Sequence, residues 1–105
     1  MDRIAQLRSF ITQQPSNPFP HYGLALEYRN TGKLEQAQGV FDQLAEEFPD
    51  YLPAYLMAGN NLVDLGRASD AQARYRRGIE VARKAGNEHA RSELETALAE
   101  LAGQG

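Results

Sequence analysis

Residues 32–48 read GKLEQAQGVFDQLAEEF, and residues 66–82 read GRASDAQARYRRGIEVA. Laid over each other so that Gly32 falls on Gly66, they also place Ala37 on Ala71, Gln38 on Gln72 and Glu46 on Glu80. Near matches extend the register: Lys33 falls on Arg67, Phe41 on Tyr75 and, upstream, small Ala25 on small Gly59. A turn glycine, an alanine five residues on and an aromatic four further are what a helical hairpin needs, so the repeated unit is structural.

Within the unit the apolar residues Leu34, Ala37, Val40, Phe41, Leu44, Ala45 and Phe48 recur at helical spacing, which predicts one buried face. No stretch alternates apolar and polar residues with β-branched enrichment, and three valines and three threonines leave little material for strands. The chain is therefore expected to be all α. Pro15-Ser16-Asn17-Pro18 ends a first helix and starts a second, with Ser16 or Asn17 as cap and Pro18 in the first turn. Asn30-Thr31-Gly32 and Gly66 supply helix ends where glycine takes the left-handed conformation, Pro49-Asp50 repeats the first break, and Ala85-Gly86-Asn87 is the last. Six helices are expected, near 2–13, 18–30, 34–48, 52–65, 68–84 and 88–102.

Composition bounds the function without naming it. The chain has 105 residues, 42% hydrophobic and 24% charged, with a net charge of −3, as in one globular domain rather than a disordered tail or a membrane span. The absence of cysteine removes disulfides, thiolate nucleophiles and cysteine-based metal sites. Asp2, Arg3 and Arg8 interrupt any apolar run at the N-terminus, so neither a signal peptide nor a spanning segment is expected and the default compartment is cytoplasmic.

The pattern resembles the tetratricopeptide repeat (TPR) family, whose unit is a 34-residue helix–turn–helix. With one unit starting at Pro18, the positions that mark the family fall on His21, Leu24, Ala25, Tyr28, Ala37, Phe41, Leu44 and Pro49. With the next starting at Leu52, they fall on Tyr55, Ala58, Gly59, Leu62, Ala71, Tyr75, Gly78 and Arg83; this unit departs at Leu62 and lacks the closing proline. The resemblance implies a right-handed α-solenoid of antiparallel helix hairpins. It divides the chain into a half-repeat helix (1–15), two repeats (18–51 and 52–85) and a capping helix (87–103). Leu7 and Phe10 would carry the packing of the first helix, and Leu94, Leu98 and Leu101 that of the last. Gly39 and Gly78 lie inside expected helices, where a close helix contact would compensate the weak helix propensity of glycine.

The resemblance also implies a function. In this family the first helix of each hairpin lines a concave groove that holds a partner peptide, and the matching positions here are Phe19, Tyr22, Leu26, Arg29 and Asn30, then Pro53, Leu56, Asn60, Val63 and Asp64. The expected partner-binding residues are Phe19, Tyr22, Leu26, Arg29, Leu56, Asn60 and Val63, a mixture of aromatic, aliphatic and polar groups suited to gripping a peptide. Asn60 and Asn61 disfavour a helix interior, so a polar task such as reaching a ligand backbone suits them. The carboxylate clamp used by chaperone-binding members would fall on Tyr22, Leu26, Met57, Asn87 and Arg91, where only Arg91 matches in kind, so no such clamp is expected.

The expected role is a non-catalytic scaffold or adaptor with no cofactor, no metal, no small-molecule substrate and no membrane partner. His21 and His89 stand far apart in the chain with no catalytic motif around them, and His21 occupies a packing position. Residues 67–91 hold seven cations against three acids, which raises weak nucleic-acid binding as an alternative; an acidic balance elsewhere opposes it. Self-association is the other alternative, because open repeat ends and oppositely charged halves suit contact between copies; the chain would be a monomer or a weak oligomer.

Overall fold

The computed structural model describes residues 2–104. Among them are six helices and no strand: α1 (Arg3–Gln13), α2 (Pro18–Asn30), α3 (Leu34–Glu47), α4 (Pro53–Asp64), α5 (Ala68–Ala85) and α6 (Glu88–Gln104). The fold is an all-α repeat fold, and each helix end lies within two residues of its sequence expectation. No helix among the described residues is long and apolar enough to cross a membrane.

The ends are set by local chemistry. Asp2 caps α1, its Oδ1 accepting the Ala5 N–H at 2.7 Å. Of the two candidate caps for α2 it is Asn17 that serves, accepting the Phe19 N–H at 3.1 Å, with Pro18 in the first turn where its missing N–H costs nothing. Gly32 and Gly66, equivalent in the repeat, take φ of +80° and +77° after α2 and α4. In both turns the following N–H reaches back to the same carbonyl position, Lys33 to Tyr28 at 2.8 Å and Arg67 to Leu62 at 2.9 Å. That is the Schellman closure, which favours a residue without a Cβ at its left-handed position.

The chain divides into two compact units, Met1–Tyr51 and Leu52–Gly105. In the first, α2 packs against both α1 and α3. Its buried residues are Leu7 from α1, Pro20, His21, Leu24, Ala25 and Tyr28 from α2, and Ala37, Gln38, Phe41 and Leu44 from α3. Leu7 sits over Gly23, where an added Cβ would lie 3.0 Å from its Cδ2. Phe10 departs from expectation: it is 45% exposed, because α2 covers only one side of α1 and the covered line is Ile4, Leu7 and Ile11.

In the second unit α4, α5 and α6 all touch one another around Tyr55, Leu62, Ala71, Tyr75, Ala82, Leu94 and Leu101. Leu98 joins this core partly buried, so α6 packs through the expected leucine line. Gly78 marks a close approach: a Cβ there would lie 2.7 Å from the Tyr55 Cβ and 3.0 Å from Leu94 Cδ1. Gly39 is the correction to the paired expectation. It is exposed, and a Cβ added to it would meet nothing within 4 Å, so no close helix contact compensates it.

Candidate functional site

The 3.6-residue period sorts α2 into two faces. His21, Leu24, Ala25 and Tyr28 turn into the core, and Phe19, Tyr22, Leu26 and Arg29 form a second row at i, i+3, i+7 and i+10. Phe19 is 67% exposed, well beyond Phe10, and Tyr22, Leu26 and Arg29 are half-buried. The Tyr22 ring meets Tyr51 edge-on, with centroids 5.6 Å apart and planes at 66°. Burial, and secondarily the neighbouring Tyr51 phenol, holds the Tyr22 hydroxyl above the ordinary tyrosine range; burial does the same for Tyr51. Asn30, at the helix end, is exposed.

On α4 the corresponding row is Leu56, Asn60 and Val63, all half-buried, flanked by exposed Pro53 and Asp64. Leu56 and Val63 lean on the core of their unit, so each offers a partner only part of its surface. Asn60 is held in place: its Oδ1 accepts the Tyr75 hydroxyl at 2.6 Å, and its Nδ2 faces the Met57 sulfur at 3.8 Å. Gly59 makes this possible, since a Cβ there would fall 2.2 Å from Tyr75 Cε1 and push the ring away. Asn61 is fully buried and cannot meet a ligand, which corrects the expectation for that residue.

Sequence reasoning missed the Asn60–Tyr75 pair, although the repeat contained its signal. One repeat earlier the same positions hold Leu26 and Phe41, so an apolar pair is exchanged for a hydrogen-bonding pair in one step. The remaining polar candidates are occupied elsewhere. Asn87 Oδ1 accepts the Ala90 N–H at 3.0 Å and caps α6, and Arg91 pairs with Glu88 on the same helix. His21 is only 7% exposed and packs on Phe48 with ring centroids 5.6 Å apart; its Nε2 has no hydrogen-bond partner. His89 is exposed, 3.4 Å from Glu93. Among the described residues no group of three or more histidine or acidic side chains could hold a metal ion.

Helix hairpins repeated in one sequence register, with glycine turns at equivalent positions and small residues at the helix crossings, define a helical-repeat protein. The tetratricopeptide repeat model matches residues 28–101, and the chain belongs to the tetratricopeptide repeat family. A tetratricopeptide repeat domain protein from Salinibacter ruber, solved as a crystal structure, is 37% identical with a TM-score of 0.78, over 83% of this chain and 97% of that one. A Bordetella parapertussis protein aligns at 20% identity and a TM-score of 0.84, over 99% of this chain and 90% of that one. PcrH, in complex with the chaperone binding region of PopD, aligns at 14% identity and a TM-score of 0.86, over 96% of this chain and 77% of that one. The last two likenesses are of fold alone. No curated protein matches the chain.

Proposed function

We propose that the chain is a non-catalytic protein-interaction module in which the outer row of α2, in the first unit, takes a partner peptide, and the row of α4, in the second unit, offers a binding surface of its own. The observation that carries this is Phe19: a phenylalanine left 67% exposed, in register with Tyr22 and Leu26 on a helix whose other face is buried. The same row carries Tyr22 and Arg29, residue types enriched at binding hot spots. Support also comes from family membership, and from a neighbour of like fold, PcrH, that was solved with a segment of another protein bound.

In this reading Phe19, Tyr22 and Leu26 anchor apolar side chains of the partner. Arg29 and Asn60 would provide polar contacts, Asn60 through the second N–H of its amide, since its oxygen accepts from Tyr75 and its other N–H is directed at the Met57 sulfur. Leu56 and Val63 would add apolar area at the rim of the second unit's core. The test is affinity capture from the source lysate with the native chain and with Phe19→Ala/Leu26→Ala, both verified as folded by helical circular dichroism. A protein held by the native chain and lost by the variant supports the assignment; identical captures by both remove it.

A further inference from the structure

Two exposed helix faces outside the α2 and α4 rows carry opposite charge. α3 exposes Glu35, Asp42, Glu46 and Glu47 and contains no lysine or arginine. α5 exposes Arg76, Arg77, Arg83 and Lys84, and the single acid between Arg76 and Lys84, Glu80, is already bound to Arg83. The two helices occupy equivalent places in the repeat, so the contrast is between like elements: Asp42 in one corresponds to Arg76 in the other.

Gly39 gives the acidic face its second property. It sits mid-helix, exposed, with open space where a Cβ would be, so packing within the chain does not account for a residue that weakens its helix. It lies one turn before Asp42 and two before Glu46, flush with the acidic row. Its repeat equivalent is Ala73, likewise exposed and one turn before Arg76 and Arg77. Each face thus has a small residue where two helices could approach closely, with charges of opposite sign just beyond it.

We propose that these faces dock on each other between two copies of the chain, acidic α3 of one copy against basic α5 of the next, with Gly39 at the crossing. The occupant is assigned by charge complementarity: α3 exposes acids and contains no lysine or arginine, α5 exposes an excess of cations, and Asp42 and Arg76 are the equivalent position at which the sign reverses. The contact is heterologous, since two different surfaces meet. It is built from exposed charges, so it weakens as salt shortens the screening length, about 10 Å at 0.1 M and about 3 Å at 1 M.

Sedimentation velocity over a range of concentrations tests it. At low ionic strength the weight-average mass rises with concentration, and in about 1 M salt it returns to the monomer's. Asp42→Lys/Glu46→Lys removes the acidic face, and Arg76→Glu/Arg77→Glu removes the basic one. Each variant alone stays monomeric with an unchanged helical signal, and because each retains one intact face, their mixture forms a one-to-one dimer. Gly39→Gln, which leaves the charges in place, lowers the association of the native sequence. A native chain that remains monomeric at low salt overturns the proposal, as does association that either charge variant leaves intact. A monomer that instead binds single-stranded RNA, and loses it with Arg76→Glu/Arg77→Glu, assigns the basic face to nucleic acid and overturns it equally.

Discussion

Tyr75 and Asn60 form a pair whose worth can be measured against the chain's own alternative, because Phe41 and Leu26 fill the same two positions one repeat earlier. Tyr75→Phe strips the hydroxyl from a partly buried hydrogen bond and should lower stability by about 1 kcal/mol. Adding Asn60→Leu restores the apolar pairing of the first repeat, so the double variant should lose less than the sum of the singles, a coupling of about 0.5–1.5 kcal/mol by urea denaturation. Two glycines make a second contrast. Gly59→Ala drives a methyl into the ring of Tyr75, which is itself buried, and should destabilise by roughly 1–3 kcal/mol despite the better helix former. Gly39→Ala meets nothing, and should stabilise by up to about 1 kcal/mol when measured in high salt. Equal effects at the two sites would contradict the packing described for Gly59.

Helix boundaries were legible in the sequence because the residues that set them act locally. Pro18 and Asn17 start α2, and Gly32 and Gly66 end their helices through backbone conformation alone. What a helix face touches is not local. Leu7 and Phe10 look equivalent as apolar residues of α1, but α2 packs on the side of that helix that carries Leu7, so one is buried and the other exposed. Adjacent Asn60 and Asn61 look alike too, yet the turn of the helix between them sends one to the rim and the other into the core. The candidate row on α2 was readable from its period, and the engagement of Asn60 by Tyr75 was not, since it depends on a ring from another helix.

The Tyr22–Tyr51 contact joins α2 to the turn after α3 and carries a pH signature. Both phenols are held above the ordinary value of 10.0, so the folded chain resists ionisation that the unfolded chain accepts. Their contribution is whole below pH 10 and is lost as pH rises from there through the folded values. The thermal midpoint should therefore fall above pH 10, and Tyr22→Phe/Tyr51→Phe should flatten that fall. An identical slope in wild type and variant would mean that the pair does not stabilise the hairpin through its neutral form.

At the scale of the whole molecule the charge is arranged by element rather than spread evenly. A net of −3 conceals an acidic α3 and a basic α5 of equivalent repeat position, while the first helix of each hairpin, α2 and α4, carries the rows with apolar and amide groups. Burial accounts for Tyr55, Leu62, Phe41 and Leu44 without any partner; it does not account for Phe19. The two kinds of surface predict separable losses, of a partner from the α2 row and of self-contact from the charged faces.

The most direct measurement is parallel affinity capture from the source lysate with the native chain, Phe19→Ala/Leu26→Ala and Arg76→Glu/Arg77→Glu, read by quantitative mass spectrometry. A protein retained by the native chain and by the arginine variant, and depleted with the Phe19 variant, is the predicted result. Capture that survives loss of Phe19 and Leu26 but fails without the two arginines would contradict the assignment of the α2 row as the partner-binding surface.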